Sequence, residues 1–92
     1  MLIDTNAPMF VSDSESLTSS QIGMLAAISN GETRLNSKAV VDRYTLGNQQ
    51  TITRNKHRLR ELELVDFQDD RFIFVDAVYE LWFRQQYRRR VQ

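Results

Sequence analysis

Cysteine is absent from this chain, and His57 is its only histidine. The first absence excludes disulfides and thiolate metal sites, and a single imidazole cannot build a histidine-based zinc site. We therefore expect no bound metal. A chain without disulfides is also compatible with a reducing compartment, and we expect a cytoplasmic location.

Long apolar runs are also missing. No stretch of the sequence is long and apolar enough to span a bilayer, so we expect no membrane helix. Residues 1–4 lack the basic region followed by an apolar one that marks a secretory signal, so we expect no signal peptide.

Catalytic signatures are absent as well. There is no glycine-rich phosphate loop of the GxxxxGK[ST] type and no supported Ser/His/Asp arrangement. The acidic pair Asp69 and Asp70 and the nearby Glu61 and Glu63 are typical of turn and surface charges. We expect neither enzymatic activity nor a cofactor in this chain.

The formal net charge of zero conceals an asymmetry along the chain. Residues 1–32 contain four acidic and no basic residues, net −4, whereas the remainder contains all 12 basic residues against eight acidic ones, net +4. A locally basic half keeps nucleic-acid binding open, and an uneven scatter of solvated charge is the alternative interpretation.

Residues 1–16 have the composition of a flexible tail or linker, and residues 17–92 that of one domain. A first helix is expected over residues 18–30. Thr18 and Gln21 fit a capping box, in which each side chain accepts a backbone N–H of the other residue. Asn30 and Gly31 are a typical helix stop.

A second and a third helix are predicted to flank a tight turn. Asn36 or Ser37 can cap the second helix. Leu46 is expected to fill the space between the helices, and Gly47 supplies the positive φ of a sharp turn. The third helix is predicted over residues 49–62, with a buried stripe formed by Ile52, Leu59 and Leu62. The aliphatic stem of Lys56 is expected to lie half-buried against the core while its ammonium group reaches water.

Two strands are predicted after the third helix, at residues 64–67 and 71–75, around a polar tip. Residues 33–35 are a candidate for a third strand beside them. Asp76 then caps a fourth helix that extends to about Tyr87. This order predicts a mostly α fold with a small β-wing: a winged helix-turn-helix with a three-helix core, a hairpin wing and an extra C-terminal helix.

The outer face of the third helix is the candidate DNA surface. Short polar side chains near its N-terminus suit base edges, and cations further along suit guanines and phosphates. An ordinary solvated helix face is the alternative, and the acidic wing tip opposes phosphate binding. The candidate DNA-binding residues are Gln50, Thr51, Thr53, Arg54, His57 and Arg58.

The fourth helix has more apolar surface than one core requires. Tyr79, Phe83 and Tyr87 form an aromatic stripe beside Val78, Leu81 and Trp82. At about 100° per residue the apolar arc spans roughly 240°, against ~100° for a helix packed on one core. Either the tail or the first helix covers the excess, or Tyr79, Phe83 and Tyr87 form an interface with a second copy or a partner domain.

Four segments of the chain resemble one known family: residues 17–32, 35–40, 44–48 and 76–83. In the last segment, Asp76, Tyr79 and Trp82 fit an "Asp-x-x-aromatic-x-x-Trp" pattern. This family is the C-terminal winged-helix domain of bacterial and archaeal AAA+/STAND-type ATPases. The resemblance implies a piece of a larger ATP-binding protein, with an N-terminal ATPase module as partner and none of its nucleotide-binding residues here. Two functions follow as hypotheses: an accessory domain that binds double-stranded DNA through residues 49–62, or a regulatory lobe that packs on the ATPase module or forms a homodimer.

Overall fold

Four helices and one hairpin make up the computed structural model, which describes residues 16–91 and side chains through Tyr87. Apart from Ser16, the predicted tail lies outside the described residues. In the described part, no helix is long and apolar enough to cross a membrane. The elements, in chain order, are α1 (Ser19–Ser29), α2 (Lys38–Tyr44), α3 (Gln49–Glu61), β1 (Val65–Gln68), β2 (Arg71–Phe74) and α4 (Ala77–Val91).

Each helix begins at a side chain that accepts backbone N–H groups left free by the first turn. The predicted capping box of α1 is confirmed: Thr18 Oγ1 accepts the Gln21 N–H at 3.2 Å, and Gln21 Oε1 accepts the Thr18 N–H at 2.9 Å. The other caps are Ser37 for α2, Asn48 for α3 and Asp76 for α4.

The predicted third strand at residues 33–35 is wrong. The Ser37 N–H donates to the Arg34 carbonyl at 3.1 Å, so the chain turns directly into α2 instead of running beside the hairpin. Leu35 is buried in the core by this turn. The sheet formed by the described residues therefore has two antiparallel strands.

The hairpin itself has a two-residue turn at Asp69 and Asp70, both with positive φ (53° and 64°). Positive φ at both central residues matches the right-handed twist of the flanking strands. The register pairs Val65 with Phe74 and Phe67 with Phe72 on one face. The first pair is buried, and Phe67 at the second is largely exposed.

Helix α1 lies at the centre of the core and contacts α2, α3, β2 and α4. It is buried around most of its circumference, so it has no wide polar face of its own. At Gly23 the α2 backbone comes so close that an added Cβ would lie 2.3 Å from the Tyr44 carbonyl oxygen. The predicted winged helix-turn-helix arrangement is confirmed, with α2 and α3 as its helix pair and the hairpin as its wing.

Candidate nucleic-acid interface

The turn between α2 and α3 determines how α3 projects from the domain. Leu46 is fully buried between the helices, and its N–H donates to the Val41 carbonyl at 3.1 Å. Gly47 has φ +88°, so the predictions for both residues are confirmed. Thr45 also adopts a left-handed conformation, with φ 57°, as the C-cap of α2. The sequence did not indicate this, because threonine rarely adopts positive φ.

A buried polar contact orients α3 against α1. Asn55 is buried, and its Nδ2 donates to Ser20 Oγ at 3.0 Å. The Asn55 Oδ1 accepts from Gln21 Nε2 at 3.3 Å. The amide therefore links the recognition-helix candidate to the capping box of α1, which explains a polar side chain between the buried Ile52 and Leu59.

The end of α3 differs from its prediction. The helix stops at Glu61 and Leu62 is its C-cap, after which Glu63 turns the chain with φ 61°. Leu62 is 37% exposed, so its predicted place in the buried stripe is wrong. The inward stripe of α3 consists of Ile52, Asn55 and Leu59.

Most of the predicted DNA-binding residues lie on the outer surface of α3. Thr51 is the exception: it is half-buried, and its Cγ2 would lie 3.3 Å from a Cβ placed on Gly47. Packing against the turn leaves less of the Thr51 side chain open to a ligand than of its exposed neighbours, and its contact with DNA stays a prediction. The structure brings together, as exposed side chains, Gln50, Thr53, Arg54, His57 and Arg58.

The basic side chains on this surface are free for a ligand. The side chains of Arg54, His57 and Arg58 make no hydrogen bond or ion pair with any residue in the described part of the chain. Arg60, one turn beyond Lys56, is different because its Nη2 lies 3.8 Å from Asp66 Oδ1 on the wing. Arg54 and Arg58 can therefore meet phosphates without first breaking an internal pair.

A groove between α3 and the wing adds residues that the sequence did not single out. Its lining is Thr53, Lys56, His57, Arg60, Phe67 and Phe72. The predicted half-buried stem of Lys56 is confirmed, and its Nζ donates to Asn36 Oδ1 and lies 5.8 Å from the centre of the Phe72 ring. Burial lowers the pKa of Lys56 from its ordinary value. The spacing of Thr53, Lys56 and Arg60 on one helix flank was a signal that could have indicated this groove.

The aromatic stripe of α4 belongs to the core. Tyr79 and Phe83 are buried, and their rings lie 5.9 Å and 6.0 Å from that of Phe74. Tyr87 is half-buried and stacks on Phe83 at 5.9 Å. The interface prediction is therefore corrected for Tyr79 and Phe83, because the wing and α1 cover these two side chains. For the half-buried Tyr87 it stays a prediction. Leu81, 50% exposed, is a large apolar side chain on the outward side of α4.

Comparison with known proteins gives one finding. A family model described as "Probable winged helix domain" matches residues 8–85. No curated protein and no solved structure matches the chain.

In the described part, no group of three or more histidine or acidic side chains is placed to hold a metal ion.

Proposed function

Because the chain belongs to the family of probable winged helix domains, we propose that it binds double-stranded DNA with α3 in the major groove. The observation that carries this proposal is the outer face of α3. That face combines two uncommitted arginines, Arg54 and Arg58, with the short polar side chains Gln50 and Thr53. Arginine can contact guanine edges and phosphates, and glutamine can contact adenine.

The acidic residues around this face restrict how DNA can approach. Asp69 and Asp70 form the exposed tip of the wing, and Glu61 lies at the C-terminal end of α3. Carboxylates repel phosphates, so the tip is kept away from the duplex backbone. The N-terminal two turns of α3, from Gln50 to Arg58, then form the principal contact with the DNA major groove.

Arginine substitutions test the α3 interface. We expect Arg54→Ala and Arg58→Ala each to weaken binding to duplex DNA and to lower the slope of log affinity against log salt by about 1, because each removes about one phosphate contact. Fluorescence anisotropy with a labelled blunt duplex over a salt series measures both quantities.

The matched control is Arg43→Ala. Arg43 is an exposed arginine on α2 that lies 3.5 Å from Glu32, on a different helix from the proposed interface. Its removal takes away the same charge, and we expect the salt slope to stay close to that of the unmodified domain. Equal effects at positions 43, 54 and 58, or no duplex binding at low salt, would contradict the proposal.

We also propose that the domain is the accessory part of a larger cytoplasmic ATP-binding protein of the AAA+/STAND type. The support is the resemblance at Asp76, Tyr79 and Trp82, whose helix covers the core as a terminal element of such a domain would. The coding sequence upstream of residue 1 tests it directly. A phosphate-binding loop of the GxxxxGK[ST] type is expected there, and an upstream region without one counts against this parent.

A further inference from the structure

The groove between α3 and the wing contains an aromatic side chain that the core leaves uncovered. Phe67 is 47% exposed, although it points to the same face of the hairpin as the buried Val65. Phe67 and Phe72 face each other two cross-strand pairs beyond Val65 and Phe74, on the same face of the hairpin. The core-facing side of the wing therefore continues past the core and into the groove.

The ring of Phe67 is held in place. It meets the Phe72 ring edge-on, with centroids 5.1 Å apart and planes inclined at 63°. This edge-to-face geometry is the preferred one for an aromatic pair. The contact with Phe72 restricts the Phe67 side chain, which lines the groove, so binding a ligand there costs less conformational entropy than ordering a free side chain would.

Basic side chains line the opposite wall, on α3. Lys56 lies over the Phe72 ring, and His57 and Arg60 line the groove beside it. Three carboxylates lie at the end of this wall, because Glu61, Glu63 and Asp66 line a neighbouring pocket with His57 and Arg60. Of these, Asp66 pairs with Arg60 at 3.8 Å. The other acidic residues of the wing, Asp69 and Asp70, are at the tip, beyond the paired strands.

We propose that this groove binds an unpaired nucleotide, with its base stacked on Phe67 and its phosphate facing the cations of α3. Stacking on aromatic side chains tolerates any base, because every base has a π-face. Acidic side chains at the tip repel the phosphate and basic side chains on α3 attract it, so the phosphate lies toward the helix. The inference rests on the proposed function in one respect: α3 holds the adjoining duplex. Its consequence is a preference for duplex DNA that ends in a single-stranded overhang.

Matched hairpin duplexes test this preference, one blunt and one with a short oligothymidine overhang. In the unmodified domain we expect the overhang to raise affinity about tenfold, within the range measured for base–aromatic stacking. Phe67→Ala should abolish that gain and leave blunt-duplex affinity unchanged, and Phe67→Tyr should retain it. Leu81→Ala, which removes an exposed apolar side chain on α4, is the control and should change neither affinity.

Equal affinity for blunt and overhang duplexes in the unmodified domain overturns the inference. An equal loss on both duplexes in Phe67→Ala also overturns it. Failure of the α3 proposal has a different signature: blunt-duplex binding is absent or does not respond to Arg54→Ala. Single-stranded binding that is lost in Phe67→Ala would then still support the groove.

Discussion

At the scale of single residues, Asn55 does what an aliphatic side chain could not. Contacts between apolar side chains tolerate small rotations of a helix about its axis, whereas a hydrogen bond is directional. The Asn55 amide donates to Ser20 and accepts from Gln21, so two bonds fix the rotation of α3 relative to α1. The same rotation decides which side chains of α3 lie on the outer face proposed to bind DNA.

Removing this amide should therefore reduce stability. We expect Asn55→Ala to lower the free energy of unfolding by about 1–3 kcal/mol, because it leaves the buried Gln21 amide without one partner. Urea denaturation monitored by the fluorescence of Trp82, the chain's single tryptophan, measures the change. Ser20→Ala, which removes only the less buried partner, should cost less. An Asn55→Ala domain as stable as the unmodified one would contradict the role given to this amide.

At the scale of elements, the close approach of α1 and α2 depends on Gly23. The Tyr44 carbonyl, in the last turn of α2, occupies the space where a side chain on α1 would begin. Both partners in this contact are backbone, so neither can move aside by changing a rotamer. The close packing of α2 on α1 thus depends on a missing side chain.

A glycine-to-alanine change at this position should destabilise the domain, whereas the same change in a helix interior usually stabilises it. Alanine in a helix interior is ordinarily favoured over glycine by about 1 kcal/mol. Here we expect Gly23→Ala to lower the thermal unfolding midpoint, because its Cβ would lie 2.3 Å from the Tyr44 carbonyl oxygen. Circular dichroism at 222 nm, a helix signal, follows the unfolding. Ser19→Ala in the first turn of α1 serves as a control, and a Gly23→Ala domain of raised stability would disprove the steric argument.

Local signals account for what could be predicted of the elements. The capping residues Thr18 and Ser37 and the turn at Leu46 and Gly47 act within a few positions of the chain, so the sequence contains them. Residues 33–35 have the composition of a strand, but a strand needs a partner that only the tertiary fold can supply. Leu62 was misplaced because the end of a helix is decided within one or two residues.

At the scale of the whole molecule, α4 completes the core. Phe83 is 4% exposed, and it lies among the rings of Phe74, Tyr79 and Tyr87. The hydrophobic pattern of α4 alone could not distinguish this burial from a docking surface, because both require a wide apolar arc. The distinction depends on α1 and β2, which pack against α4 from distant parts of the sequence.

A charge at Phe83 should therefore unfold the domain and not merely separate it from a partner. We expect Phe83→Glu to abolish cooperative thermal unfolding, since an unpaired carboxylate in an aromatic core costs several kcal/mol. Leu81→Glu, on the exposed side of the same helix, should leave the transition nearly unchanged. A folded Phe83→Glu domain with altered self-association would instead restore the interface interpretation.

The candidate site was predicted only in part, for the same physical reason. Helical periodicity is enough to place Gln50, Arg54 and His57 on one outer face of α3. The groove requires Lys56 and Phe67 to meet across two elements, and no local pattern contains the distance between them. The ion pair that occupies Arg60 is likewise a property of the assembled domain.

The acidic tip of the wing has a consequence for how the domain encounters DNA. A chain of zero net charge gains little long-range attraction to a polyanion. The carboxylates at the hairpin turn and the free guanidinium groups on α3 nevertheless form a local separation of charge, and the field of a duplex would exert a torque on it. Encounters with a duplex would then depend on the orientation of the domain more than on long-range attraction. Because added salt screens the torque, it should broaden the range of orientations at collision while changing the collision frequency little.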